Sequence, residues 1–221
     1  MKRNQSGFTL IEIAIVLVII GLLLGGVLKG QELINSAKVK NLANDFKNIP
    51  VYIYGYQDKF KALPGDDALA TTHLTGATAC TPAAAGFCAP GSGIIDGNWN
   101  DTAITSESYL FWQHVRLAGF AAGSTTTGVG DYIPKNAVGG TIGVTNSLAA
   151  NSPITGIKGT YVVCSDSIAG KFAKQLDLTL DDGNPATGSL MIAAAGLTTG
   201  PAIATTALVL DDTPYLVCMG F

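Results

Sequence analysis

The chain has 221 residues, with thirteen Lys and Arg against sixteen Asp and Glu and a formal net charge of −3. From Lys61 onward it has six basic and twelve acidic residues, and such an acidic body repels phosphate, which makes a nucleic-acid-binding protein unlikely. The length allows one domain with a sizeable core plus an appendage.

The first predicted element is an apolar N-terminal helix. Residues 8–28 contain a single charged residue, Glu12, and approach the roughly 20 residues that a helix needs to cross a bilayer. Lys2 and Arg3 precede the run, which predicts a cytoplasmic N-terminus and an exported body. No small-residue cleavage site follows it, so we predict a retained anchor and not a secretory signal.

The apolar pattern then becomes periodic, and we expect the same helix to continue to Ala62. Apolar residues recur every three or four positions, which is typical of one buried helix face: Val39, Leu42, Phe46, Ile49, Ile53, Tyr56, Phe60 and Leu63. Pro50 removes one backbone donor and predicts a bend, but the stripe keeps its phase across it. A helix over residues 8–62 would measure about 80 Å, so its first half must lie in lipid or against other copies.

Glu12 is the one residue in the apolar run that requires a reason. A carboxylate in the centre of a membrane helix costs about 2.5–3.5 kcal/mol on insertion scales. One interpretation is a side chain that snorkels to the cytoplasmic interface. The other is a pair with a cation from another chain, for which a new amino terminus at Phe8 would serve. A buried pair of that kind would fix the register between subunits.

The stretch "KRNQSGFTLIEIAIVLVIIGLLLGG" resembles the N-terminal signature of type IV prepilins and type II secretion pseudopilins. The resemblance implies cleavage between Gly7 and Phe8 by a prepilin peptidase, which also methylates the new amine of Phe8. It implies that Glu12 pairs with the N-terminal amine of a neighbouring subunit. "ALPGDD", "ESYLFWQHVRLAGF" and "KFAKQLDLTLDDGNPATGSL" resemble stretches of larger pilin-like proteins more loosely.

Three segments follow: a leader at residues 1–7, a long helix at 8–62 with its membrane or filament-core part at 8–28, and an exported head at 63–221. Many pilins carry a proline in the first half of this helix, whereas the first proline here is Pro50. Four glycines either provide flexibility instead or let helices approach closely: Gly21, Gly25, Gly26 and Gly30.

All four cysteines lie in the predicted exported part, where an oxidising compartment favours two disulfides. We favour Cys80–Cys88, which would close a short loop, and Cys164–Cys218, which lie in two apolar runs. The alternative is free buried cysteines. With two histidines and no C-x-x-C, zinc is improbable.

The loop "DGNWNDTAITSE" has a partial calcium-loop pattern. Asp96, Asn98, Asn100 and Glu107 occupy positions 1, 3, 5 and 12 of that pattern. Position 6, normally glycine, is Asp101. The alternative is an Asx-rich turn in which Glu107 provides a charge at a helix N-terminus. We predict no cofactor, with a calcium ion in this loop as the alternative.

The remaining elements predict an α+β head of the pilin type. An amphipathic helix is expected after Ser106 as cap, and residues 168–180 favour a second helix although their leucines also alternate as in a strand. Short apolar runs between turn residues predict the strands of a small antiparallel sheet: "GGTIGVT", "GTYVVCS", "GSLMIAA", "TALVL" and "YLVCM". We expect His114 to be a partly buried structural histidine. We expect four aromatic residues to lie in the core: Trp99, Tyr109, Phe111 and Trp112.

No nucleophile elbow, zinc-protease or phosphate-loop motif occurs, so we predict no enzyme. We predict a subunit of a type IV pilus-like filament, located first in the bacterial inner membrane with a periplasmic head, then in an extracellular pilus. Its partners would be copies of itself, other pilins, prepilin peptidase, the inner-membrane assembly platform and lipid. The nearest alternative is a pseudopilin in a periplasmic pseudopilus, and a more remote one is a non-polymerising, membrane-anchored binding domain.

Overall fold

The computed structural model describes residues 9–81, 88–148, 152–196 and 209–221. By their contacts the residues divide into two compact units, Met1–Lys38 and Val39–Phe221. The helices are α1 (Leu10–Phe60), α2 (Ala70–His73), α3 (Glu107–Leu117) and α4 (Gly170–Leu180). The strands are β1 (Ile142–Asn146), β2 (Tyr161–Ala169), β3 (Leu190–Ala194) and β4 (Pro214–Gly220).

Helix α1 is a single helix of 51 residues that continues through Pro50. It begins two residues later and ends two residues earlier than the sequence predicted. Its end at Phe60 is set by Lys61, which adopts a left-handed conformation with φ of 55°, a common way to terminate a helix. Residue 8 lies outside the described residues.

The second half of α1 contributes the helical side of the main core. Most of the predicted apolar stripe is buried there, and its buried members from Val39 to Ile53 share one hydrophobic cluster with residues of α3, α4 and the sheet. Phe60 is only partly buried, whereas Leu63, just after the helix, is buried. The periodic spacing therefore identified the face that packs on the head.

The four described strands form one antiparallel sheet with the order β1-β2-β4-β3. A second, smaller cluster covers its other face and contains Trp99 and the 154–157 segment. The Trp99 backbone comes so close that a Cβ on Gly143 would lie 1.6 Å from its carbonyl oxygen, so only glycine fits there. The predicted α+β class is confirmed.

Two predicted elements were wrong in detail. The 168–180 segment is divided, because β2 continues to Ala169 with a bulge between Ser165 and Ile168, and α4 begins only at Gly170. In "TALVL", Val209 and Leu210 lie outside the strands, since Leu210 forms a turn with Thr213. The other three residues of that run lie outside the described residues.

The cysteines form the disulfides Cys80–Cys88 and Cys164–Cys218, the same pairs as those favoured from the sequence. Cys164 and Cys218 are direct cross-strand partners on β2 and β4, with their Cα atoms 4.1 Å apart, and both are fully buried. This bridge therefore joins the two central strands of the sheet.

Candidate functional site: the N-terminal helix

The first turn of α1 is closed by Thr9 and Glu12, which form a reciprocal capping box. Glu12 Oε2 accepts hydrogen bonds from the backbone N–H of Thr9 at 2.8 Å and from its hydroxyl at 2.6 Å. The Glu12 N–H in turn donates to the Thr9 hydroxyl oxygen at 3.4 Å. A T-x-x-E sequence before an apolar run is the usual signal for this cap. The signal is present in "TLIE", although the sequence analysis did not use it.

Glu12 is thus exposed and has a local partner within its own chain. Both bonds from Thr9 end on one oxygen, and a carboxylate has about four acceptor sites. The Glu12 carboxylate can therefore accept a further hydrogen bond, from a donor on another molecule. Gly7 and Phe8, the predicted cleavage residues, lie outside the described residues.

The helix beyond this cap presents apolar side chains on all sides. Every residue from 10 to 29 is exposed, and the helix is long and apolar enough to cross a membrane. The run ends at Lys29, whose Nζ donates to Glu32 at 2.8 Å on the exposed helix surface. Such a surface is stable only in lipid or against other apolar surfaces.

Four glycines lie in the first half of α1, and no contact among the described residues requires a glycine at any of them. A Cβ built on Gly21, Gly25, Gly26 or Gly30 meets nothing within 4 Å. The helix also passes through all four without interruption. Any need for a small residue at these positions must arise from flexibility or from another molecule.

At the end of α1, the buried acid Asp67 attaches the helix to a loop of the head. Asp67 Oδ2 accepts a hydrogen bond from the Tyr56 hydroxyl at 2.8 Å and lies 2.7 Å from His73 Nδ1. Although burial opposes it, these bonds from His73 and Tyr56 lower the pKa of Asp67. Asp67, His73 and Phe60 border an open cavity of about 410 Å³.

His114 is fully buried and has a structural role. Its Nδ1 accepts the Gly65 N–H at 2.9 Å, and its Nε2 lies 2.9 Å from the Thr78 carbonyl oxygen, to which it donates. Burial lowers the pKa of the imidazole. The four aromatic residues assigned to the core are all buried, as predicted.

The loop with the partial calcium pattern is organised around Asp101. Its carboxylate accepts the backbone N–H of Asn98 at 2.9 Å, the Asn98 side-chain amide at 3.0 Å and the Ser106 hydroxyl at 2.6 Å. Ser106 occupies the N-cap position of α3, but its hydroxyl makes no cap hydrogen bond. The expected side-chain cap was therefore wrong, because the Ser106 hydroxyl donates its hydrogen bond to Asp101 instead.

Glu107, the predicted twelfth ligand, is fully buried. Its two oxygens accept the backbone N–H of Ala89 at 2.7 Å and of Asp96 at 2.9 Å. Asp96 Oδ1 lies 3.2 Å from the Asn146 side-chain amide, and Asn100 is half-buried. Burial raises the pKa of Glu107 to about 7. Calcium binding by this loop remains a prediction.

Comparison with known proteins gave a match for the N-terminal segment alone. A family model described as the prokaryotic N-terminal methylation motif matches residues 2–28. Comparisons with curated proteins and with solved structures gave no match. The matched range contains the basic leader, the predicted cleavage point, the Thr9–Glu12 cap and the exposed apolar run. This chain therefore carries the prepilin and pseudopilin signature at its N-terminus.

Proposed function

We propose that this protein is a structural subunit of a type IV pilus-like filament, built from the inner membrane through α1. In this proposal, prepilin peptidase cuts between Gly7 and Phe8 and methylates Phe8. The cut removes Lys2 and Arg3, whose charges would hold the leader in the cytoplasm. The apolar surface of residues 10–28 then passes from lipid to the surfaces of other copies.

The observation that carries the proposal is the placement of Glu12. An anchor alone needs no carboxylate in the first turn of its apolar run. Glu12 lies there with its charge exposed and with acceptor capacity beyond the Thr9 cap. The methylated amine of a neighbouring Phe8 is a cation of the right kind, and pairing with it would set the axial step of the filament.

The experiment separates the charge of Glu12 from its role as a cap. Glu12→Gln removes the charge but keeps a residue that can form a capping box, whereas Glu12→Ala removes both. We expect both variants to be inserted, cleaved and methylated, as seen by mass spectrometry of the N-terminal peptide. Both should yield no sheared filaments.

Glu32→Gln is the matched control, since Glu32 is an exposed acid on the same helix, paired only with Lys29 among the described residues. It should give a normal filament yield. Normal filaments from Glu12→Gln would overturn the proposed pairing. A chain still beginning at Met1, in cells with an active peptidase, would mean an ordinary membrane anchor.

The choice between a pilus and a pseudopilus rests on a second observation, the size and composition of the head. Its long Thr-, Ala- and Gly-containing loops favour a surface-exposed subunit. Deletion of the gene should then remove surface fibres seen by electron microscopy. Loss of a secreted enzyme with intact fibres would instead identify a type II secretion pseudopilin.

A further inference from the structure

The loop between α4 and β3 contains a group of carboxylates that the proposed function does not use. One carboxylate oxygen from each of Asp177, Asp181 and Asp182 lies within 4.8 Å of the other two. Oxygens that share one Ca²⁺ ion at 2.3–2.6 Å are separated by at most about 5 Å. The three oxygens are therefore close enough to bind a single ion.

Asp177 supplies the observation that requires a ligand. The residue is 1% exposed, and its Oδ2 is buried without a hydrogen-bond partner among the described residues. Its Oδ1 accepts a long hydrogen bond from the Gly183 N–H, at 3.3 Å. A buried acceptor without a partner costs about 1–3 kcal/mol, and more when it is charged. Native structures seldom leave such an atom without a partner or an ion.

The other two carboxylates are oriented by the loop and retain free acceptor sites. Asp181 Oδ2 accepts the Leu190 N–H at 2.8 Å. Asp182 accepts the Asn184 N–H and the Thr187 hydroxyl, each at 2.8 Å. Because a carboxylate has about four acceptor sites, both can still bind a cation.

The charges around this cluster are not balanced by the protein. The nearby lysines of α4 pair elsewhere, Lys171 with Asp212 and Lys174 with Asp211. Among the described residues, no Lys, Arg or His forms an ion pair with any of the three acids. Three neighbouring carboxylates, one of them buried, repel one another, and a divalent ion would remove that repulsion.

We propose that Asp177, Asp181 and Asp182 bind a calcium ion, with backbone oxygen atoms or water completing its shell. An all-oxygen set with three carboxylates suits Ca²⁺, because Mg²⁺ usually keeps several waters and Zn²⁺ prefers nitrogen and sulfur. The ion would hold the 181–189 loop against the smaller core cluster, which Ala186 contacts. This site does not depend on whether the protein polymerises.

The test is calcium titration of the full-length protein in detergent, after treatment with EGTA, by isothermal calorimetry. We expect one site with a Kd of about 0.1–1 mM, the range of extracellular calcium modules. MgCl₂ at the same concentrations should give a much weaker signal. Calcium should also raise the thermal unfolding midpoint, followed by the fluorescence of Trp99 and Trp112.

Three variants test whether the ion binds at this cluster. Asp177→Asn and Asp182→Asn should each weaken binding at least tenfold, about the loss of one charged ligand. Asp182 is exposed, so its variant remains informative if Asp177→Asn fails to fold. Asp212→Asn, an exposed acid paired with Lys171, should bind calcium normally.

Two results would overturn the proposal. One is the absence of saturable binding to the wild-type protein. The other is binding that Asp182→Asn leaves unchanged; if Asp96→Asn then abolishes that binding, the ion belongs to the 96–107 loop instead.

Discussion

The two halves of α1 share one backbone geometry and have opposite surroundings. Every residue from 10 to 29 is exposed, whereas the second half buries a stripe from Val39 to Tyr56 in the core of the head. The first half is apolar on every side, and the second half is apolar on one side. A helix of the first kind needs an apolar medium all around it, and a helix of the second kind needs a single packing partner. One helix thus has two environments, and each can be tested separately.

Both tryptophans, Trp99 and Trp112, are buried in the head. Their fluorescence therefore reports on unfolding of the head and not on the first half of α1. The following predictions use this signal to test the contrast between the two halves, in order of decreasing expected effect.

The largest effect should come from the buried bridge between the central strands. Cys164→Ala with Cys218→Ala opens a long loop, whose ends are 54 positions apart in sequence, and should cost about 4 kcal/mol of unfolding free energy by chain entropy. Cys80→Ala with Cys88→Ala opens a much shorter loop and should cost about 2.5 kcal/mol. Chemical denaturation followed by tryptophan fluorescence measures both. Equal losses would show that loop length does not determine the effect.

The same substitution in the two halves of α1 should have different consequences. Leu42 is fully buried and Leu23 is 64% exposed. Leu42→Ala should destabilise the head by about 2–5 kcal/mol because it leaves a cavity. Leu23→Ala should leave the denaturation midpoint of the detergent-solubilised protein unchanged. A comparable loss from Leu23→Ala would contradict the separation of the two environments.

Glu107 should make the stability of the head depend on pH. Its folded pKa is raised from 4.5 to about 7 by burial, so its protonated form stabilises the head fully below pH 4.5. That contribution is lost as the pH rises through about 7. From pH 5 to pH 8, the unfolding free energy of the wild type should therefore fall relative to that of Glu107→Gln by on the order of 2–3 kcal/mol.

Glu32→Gln serves as the control for this pH series. Glu32 is exposed and lies in the N-terminal unit, so its difference from wild type should be flat across the same pH range. A flat difference for Glu107→Gln as well would mean that burial does not perturb this carboxyl group.

The smallest effects should come from glycines of α1. A Cβ on Gly25 meets open space, so Gly25→Ala should increase helix content slightly, by up to about 1 kcal/mol in helix stability. A Cβ on Gly55 would lie 2.8 Å from the Phe120 ring, so Gly55→Ala should destabilise the head. Circular dichroism and tryptophan fluorescence measure the two effects.

Gly25→Ala also tests why the glycines are present. Normal filament yield from this variant would argue against close packing of α1 at that position in the filament. Loss of filaments despite a more stable helix would indicate that neighbouring copies approach each other there, as small residues permit.

The sequence alone predicted the features that depend on local pattern. Uniform apolarity indicated the first half of α1, a spacing of three and four residues indicated its buried second half, and short apolar runs between turn residues indicated the strands β1 to β4. Each of these follows from the period of a helix or strand, which is written in neighbouring residues. The signature at residues 2–28 is equally local, and so was readable before any fold was known.

Only the tertiary structure decided where long-range partners meet. The division of residues 168–180 depends on β4, whose pairing extends β2 to Ala169. Asp101 was expected to be a defect in a calcium loop, but it organises that loop because Ser106 and Asn98 fold back onto it. The burial of Asp177 beside Asp181 and Asp182 likewise depends on how α4 packs. Packing brings together residues with no common period, and for that reason local pattern could not reveal these contacts.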